Sequence, residues 1–188
     1  MVFLVHDMLQ PFPPQYHKSF DLIHVRFMLL ALRKDQYQQA VRNLLQILKP
    51  GGYFQWDEGN IGLATHIPND PALQPYMDVL HEFMQDVGFD SIPKDRIEEA
   101  FKAEGLERVQ IEFNESFQRP ELKEQLRTWG LNTMSATIPM SYLRTGRAKN
   151  EVEAKRIGEE GMAEFRRSYG EGTVPIWPIS IVIGRKPV

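Results

Sequence analysis

Residues 20–58 carry a strand–helix–strand pattern that constrains the fold more than any other feature of the chain. Phe20–Phe27 is nearly continuous apolar sequence, which is typical of a strand buried on both faces of a parallel sheet. From Asp35 to Leu48, apolar residues recur three and four positions apart, which predicts an amphipathic helix. Pro50-Gly51-Gly52 ends that helix, and Tyr53–Trp56 begins the next strand. A strand, a helix and a strand joined by short turns form a right-handed unit with parallel strands.

The remaining sequence predicts further helices and strands around this unit. Asp70-Pro71 is a good helix start, and an apolar stripe continues from it to Gly88. Further helices are expected at about Asp95–Glu104, from Pro120 through Trp129, and at about Ala148–Tyr169, with strands at Val2–Asp7, Val109–Phe113 and Ile179–Ile183. Pro178, just before the last strand, suggests an edge or a bulge there.

Composition excludes several classes of function. With 188 residues the chain is long enough for one domain with a real core, which we expect to span residues 1–188. The net charge of −3 offers no basic field, so no nucleic-acid partner is expected, and no apolar run is long enough to cross a membrane. The chain has 0 cysteines, which excludes disulfides and thiolate chemistry and favours a cytoplasmic location. No metal site is predicted.

Two motifs in this pattern resemble a known family. Phe20–Arg26 (FDLIHVR) and Leu48–Glu58 (LKPGGYFQWDE) look like the middle of a class I S-adenosylmethionine-dependent methyltransferase. The sequences of these two motifs are most similar to those of fungal small-molecule methyltransferases of secondary metabolism, including the LaeA-related type. The resemblance implies an α/β fold, namely the C-terminal part of a Rossmann-like sheet, with helical insertions at about 60–92 and 119–170.

The resemblance also implies a strand order. In that fold the sheet runs 3-2-1-4-5-7-6, and the seventh strand is antiparallel to the others. The third to seventh strands would be, in order, Val2–Asp7, Phe20–Phe27, Tyr53–Trp56, Val109–Phe113 and Ile179–Ile183.

By the same resemblance the cofactor is S-adenosylmethionine, but the glycine-rich loop that binds it in this family has no counterpart in the chain. We therefore expect a chain that is truncated at its N-terminus relative to the family and inactive alone. The fourth strand would then be a sheet edge, which is a pairing hazard. Three outcomes are open: Val2–Asp7 folds into the vacant place, a second chain supplies the missing half, or the sequence is a fragment of a longer protein.

Three residues are predicted to contact the cofactor. By the resemblance Asp7 and Met8 would contact its adenine, and the alternative for Asp7 is a charged turn residue after a frayed strand. Arg26 lies toward the carboxyl end of its strand, where ligands bind in open α/β sheets, and could pair with a carboxylate of the cofactor or substrate. A structural ion pair is the alternative for Arg26.

Five further residues are predicted to act on the substrate. Glu58 and His66 are the catalytic candidates: Glu58 would orient a hydroxyl or amine or merely cap a loop, and His66 would be a general base or a surface loop histidine. Trp56, His24 and Met84 are the substrate-binding candidates. Trp56 would wall an aromatic substrate or a methylsulfonium, or else belong to the core. Met84 lies on an apolar helix stripe that either forms core or covers the substrate.

The predicted function is transfer of a methyl group from S-adenosylmethionine to an oxygen, nitrogen or sulfur of a small metabolite. Two rivals remain open. One is a cyclase or isomerase that uses the inherited cleft without a cofactor. The other is a noncatalytic partner that pairs with another methyltransferase along the exposed fourth strand, and a homodimer or a complementing chain would cover that edge.

Overall fold

The computed structural model describes residues 3–114 and 119–188, which form two compact units. The first unit lies within residues 3–60, 92–114 and 179–188, and the second within residues 61–91 and 119–178. The elements, in chain order, are β1 (Phe20–Arg26), α1 (Tyr37–Ile47), β2 (Leu48–Gly59), β3 (Thr65–Ile67), α2 (Gln74–Val87), α3 (Lys94–Ala103), β4 (Glu107–Asn114), α4 (Lys123–Arg144), α5 (Glu151–Gly170), β5 (Val174–Ile176) and β6 (Ile179–Arg185), with short 3-10 turns at Pro14–Tyr16, Ile61–Leu63 and Pro120–Leu122.

The first unit is built on a four-stranded sheet of order β1-β2-β6-β4. β1 and β2 are parallel, whereas β6 is antiparallel to both β2 and β4. These strands correspond to the predicted fourth, fifth, seventh and sixth strands, so the order and the antiparallel seventh strand are both confirmed. The fold class is therefore α/β, with the strand order that the resemblance implied for the C-terminal part of a Rossmann-like sheet.

One face of this sheet carries the hydrophobic core of the first unit. Alternate residues of the strands are buried with the apolar stripes of α1 and α3, as the period of two in a strand requires. The largest of these side chains are Tyr37, Phe54, Trp56 and Phe101. Leu22 on β1 and Tyr53 on β2 belong to the other face, and they remain 57% and 44% exposed.

The segment before β1 differs from the prediction. Residues 3–7 form no strand, so the expected third strand is wrong over the residues described, and β1 has no neighbour on its outer edge there. Instead, α1 holds the segment that follows through its polar side chains: Asn43 Nδ2 donates to the Met8 carbonyl (3.0 Å) and Gln39 Nε2 to the Leu9 carbonyl (2.7 Å). This helix therefore holds the residues that directly follow the expected strand.

The turn between α1 and β2 is tighter than predicted, because β2 already begins at Leu48. Gly51 has a φ of +77°, which favours glycine, and a Cβ on Gly52 would lie 2.9 Å from the Asp21 carbonyl. The Asp21 side chain accepts from Lys49 Nζ at 2.8 Å.

The second unit combines α2, α4 and α5 with a two-stranded antiparallel sheet of β3 and β5. Gly88 ends α2 in the left-handed conformation, as predicted, and Asn150 caps α5 by accepting from the Glu153 amide. The sequence did not predict β3 and β5. Among the described residues, no helix has the length and apolar character needed to cross a membrane.

Candidate functional site

Polar side chains collect where β1 and β2 end, because parallel neighbours present their carboxyl ends at one edge of the sheet. Arg26 is opposite Asp57 in the register of the two strands, and Glu58 follows directly. Next comes Asn60, whose Nδ2 donates to Ser180 Oγ on β6 at 2.7 Å. This edge is the candidate site of the first unit.

Glu58 is fully buried at this edge and is surrounded by donors. Its Oε2 accepts from the Met28 amide (2.7 Å) and from Trp56 Nε1 (3.2 Å), and its Oε1 accepts from the Gly59 amide (3.1 Å). Burial raises the pKa of the Glu58 carboxyl, although these hydrogen bonds oppose the increase. The carboxylate thus ties the loop after β1 to the end of β2, which is the loop-capping alternative for this residue.

Trp56 belongs to the hydrophobic core. It is fully buried, with its ring centroid 5.7 Å from that of Tyr37 and 5.9 Å from that of Phe54. This is the core alternative for Trp56, because the side chain lies on the helix-covered face of β2. Its indole nitrogen instead supports Glu58.

His24 lies on the open face of the sheet and is hydrogen-bonded to Asp57. His24 Nε2 is 2.9 Å from Asp57 Oδ2, and Gln55 Nε2 donates to Asp57 Oδ1 at 2.8 Å. The sequence singled out His24 but missed Asp57 and Gln55 as its partners. The sequence did contain a signal for this: Gln55 and Asp57 are two positions apart on β2, and that spacing places both side chains on the same face.

Arg26 is exposed at the end of β1, and its guanidinium lies 4.7 Å from the centre of the Phe27 ring. This cation–π contact holds the side chain beside the loop that Glu58 anchors. An exposed cation in this position has the chemistry to bind a carboxylate.

Asp7 and Met8 lie in a turn rather than at the end of a strand. Asp7 is exposed, and its Oδ1 accepts from the Leu9 amide at 2.9 Å, as in an Asx turn. Met8 packs against the core of the first unit. The carboxylate of Asp7 is of the right type to accept from an amino group, whereas the Met8 side chain contributes to packing.

In the second unit, His66 and Met84 are both buried. His66 was expected in a loop but lies in β3, with its Nε2 3.4 Å from Tyr169 Oη and its ring 5.8 Å from that of Phe165. Burial lowers the pKa of His66, and the nearby charge of Asp70 partly opposes this. Met84 faces the interior from α2, as the core alternative for it required.

The described residues contain no cluster of acidic or histidine side chains that would hold a metal ion. Two side chains have the chemistry to fit parts of S-adenosylmethionine: Arg26, as a donor to its carboxylate, and Asp7, as an acceptor from its adenine amino group. Glu58 does not fit such a role, because protein donors already surround its carboxylate.

Comparison with known proteins gives a consistent set of relatives, although no family model matches the chain. The methyltransferase grgD of Penicillium sp. is 30% identical over 166 residues, which are 87% of this chain and 58% of grgD. The methyltransferase psoC of Aspergillus fumigatus is 31% identical over 113 residues, which cover 58% of this chain and 40% of psoC. The N-methyltransferase gliN of the same fungus is 26% identical over 111 residues, covering 57% of this chain and 39% of gliN.

The chain therefore spans roughly two fifths to three fifths of the length of these relatives. Among solved structures, phosphoethanolamine N-methyltransferase 2 of Haemonchus contortus aligns with 97% of this chain and 36% of its own, at 16% identity and a TM-score of 0.48. By its sequence matches the chain is related to fungal methyltransferases, and the strand order of its own sheet is the order expected of a class I methyltransferase.

Proposed function

We propose that this chain is the C-terminal part of an S-adenosylmethionine-dependent methyltransferase that acts on a small metabolite. The observation that carries the proposal is the match to grgD, which is 30% identical and extends over 87% of the chain. The sheet supports it, because the polar edge at Arg26 and Asp57 lies where ligands bind in open α/β sheets.

The residues at this edge have distinct roles in the proposal. The cofactor supplies a methyl group on a sulfonium, which a nucleophile attacks directly. Arg26 would bind the carboxylate of the cofactor, and Asp7 would accept from its adenine amino group. Glu58 would keep the loop after β1 in place and so help to align the two reactants. Alignment of the reactants supplies much of the rate in such transfers.

A nitrogen is the acceptor atom that the relatives favour. GliN of Aspergillus fumigatus and tcpN of Claviceps purpurea are both named N-methyltransferases, and they are 26% and 28% identical to this chain over the matched residues. We therefore extend the proposal to a small molecule with a nucleophilic nitrogen, in the cytoplasm. Imaging of a fluorescently tagged chain tests the compartment, and accumulation in a membrane-bounded organelle would contradict it.

The outer edge of β1 supports a polypeptide partner. β1 is the first strand of its sheet, and Phe20 and Leu22 on it are 44% and 57% exposed. An apolar edge strand with free backbone groups pairs readily with another strand. We propose that a second copy or a complementing chain pairs there, and light scattering at increasing protein concentration tests self-association. A monomer at all concentrations would exclude the homodimer and leave the complementing chain.

Calorimetric titration of the purified chain with S-adenosylhomocysteine tests the cofactor role. We expect saturable binding at a ratio of one, weakened at least about tenfold in Arg26→Ala because the charged pair is lost. Arg156→Ala is the matched control, since Arg156 is an exposed arginine on α5 in the second unit. A folded chain without saturable binding would contradict the proposal for this chain.

A further inference from the structure

A histidine and an aspartate form a hydrogen-bonded pair on the open face of the sheet. His24 Nε2 lies 2.9 Å from Asp57 Oδ2, and their side chains are 45% and 15% exposed. The pair is thus accessible from the histidine side and sheltered on the aspartate side. None of the roles assigned above uses this arrangement.

The carboxylate of Asp57 is fixed at both oxygens. Oδ2 meets His24, and Oδ1 accepts from Gln55 Nε2 at 2.8 Å. A carboxylate held in this way accepts the proton of Nε2, so the neutral imidazole keeps its lone pair on Nδ1. This is how an acidic residue orients a histidine that acts as a base.

The backbone makes the arrangement rigid. His24 is opposite Gln55, and Arg26 is opposite Asp57, in the parallel register of β1 and β2. Two neighbouring strands with fixed register hold side chains more firmly than loops do. The pair also shares its face of β1 with Arg26, the residue proposed to bind the cofactor.

We propose that His24 is the general base of the methyl transfer and that Asp57 is its positioning residue. This rests on the proposed function. As the acceptor nitrogen donates its lone pair to the methyl carbon, the bond from that carbon to sulfur breaks and its electron pair stays on the sulfur. The acceptor's N–H proton passes to Nδ1 of His24, and the positive charge gained there is balanced by Asp57.

Two measurements on the full chain test this assignment. The first is the ¹⁵N chemical shifts of the imidazole rings, assigned by comparison with His24→Asn. We expect the Nε2–H tautomer for His24 in the wild type and a change toward Nδ1–H in Asp57→Asn, whose amide can donate to Nε2. A purely structural pair would show the same tautomers, so the transfer rate of His24→Asn distinguishes the two roles.

The second measurement is transfer of a trideuteromethyl group from labelled S-adenosylmethionine to aniline, imidazole and morpholine, followed by mass spectrometry. We expect His24→Asn to lower the transfer rate roughly 10²–10⁴-fold, with affinity for S-adenosylhomocysteine and thermal unfolding unchanged. His17→Asn is the matched control, because its exposed Nε2 contacts only the Phe12 carbonyl among the hydrogen bonds described.

The outcomes separate this proposal from the one on which it rests. An Nδ1–H tautomer in the wild type, or full transfer by His24→Asn beside an active wild type, overturns the role of His24 and leaves the methyltransferase function in place. A wild type that neither binds S-adenosylhomocysteine nor transfers the label, both alone and with an added N-terminal segment of grgD, contradicts the function itself and the role of His24 with it.

Discussion

The backbone amide of Met28 donates to the carboxylate of Glu58 at 2.7 Å, and this bond joins the loop after β1 to the end of β2. Two further donors, Trp56 Nε1 and the Gly59 amide, converge on the same carboxylate. A single buried side chain therefore organises the carboxyl edge where the candidate site lies. We therefore expect the Glu58 side chain to stabilise the folded first unit.

Replacing Glu58 with alanine should destabilise the first unit. The substitution leaves buried donors without acceptors, at a cost of about 1–3 kcal/mol for each group left unsatisfied. Glu58→Gln keeps an acceptor oxygen and should retain more of the stability. Urea unfolding of both variants measures the difference, and an alanine variant as stable as the wild type would show that Glu58 does not anchor the loop.

The pH dependence of stability should also reflect Glu58. Because burial raises its pKa in the folded state, the unfolded chain loses this proton at a lower pH than the folded chain does. The contribution of Glu58 is therefore greatest below the ordinary glutamate pKa of about 4.3, and it declines as pH rises to the folded value. The free energies of unfolding of the wild type and Glu58→Gln should be compared from pH 4 upward. As pH rises, the wild type should lose stability relative to the variant. A difference that is constant with pH would contradict this account.

In the second unit, the close packing of α4 against α5 should depend on a glycine at their contact. A Cβ on Gly158 would lie 2.6 Å from Cγ of Pro139, whose ring cannot rotate away, so Gly158→Ala should cost about 1–3 kcal/mol. Gly170→Ala, at the end of the same helix, meets no atom within 4 Å and should be neutral or stabilising by up to about 1 kcal/mol. Thermal unfolding of the two variants compares them directly. Equal effects would mean that the helices are not closely packed at Gly158.

His66 should make the second unit sensitive to acid. Burial lowers the pKa of His66 in the folded unit, so the folded unit holds the neutral ring. In the unfolded chain His66 takes up a proton at the ordinary histidine pKa of about 6.5. Stability is therefore complete above the unfolded pKa and declines as pH falls toward the folded one. Hydrogen exchange of the β3 and β5 amides between pH 7 and 5 should show this decline in the wild type and a smaller one in His66→Gln. Equal declines would assign the acid sensitivity to other groups.

The sequence predicted the first unit well where local pattern and long-range packing agree. The apolar run of β1, the helical spacing of α1 and the strand after Pro50-Gly51-Gly52 all appear as expected. Residues 3–7 are apolar enough to be a strand, but a strand also needs a neighbour, and the side chains of α1 hold the residues that follow. β3 and β5 are three residues long each, which is too short for a periodic signal.

The candidate site was predictable only in part, for a related reason. Sequence position placed His24, Arg26 and Glu58 toward the carboxyl edge, since strand direction follows from the βαβ pattern. It could not separate Trp56, on the buried face, from Asp57, on the open one, because the choice of covered face depends on where the helices pack. The same alternation that buries Trp56 brings Asp57 to His24.

Transfer of a labelled methyl group tests the central claim most directly. The purified chain, alone and with added N-terminal segment of grgD as a separate polypeptide, is incubated with trideuteromethyl S-adenosylmethionine and small nitrogen, oxygen and sulfur acceptors. The account predicts a labelled product on a nitrogen acceptor, formed faster when the added segment completes the sheet at β1. Failure of both preparations to form any labelled product, with the chain folded, would contradict the claim that this chain is part of a methyltransferase.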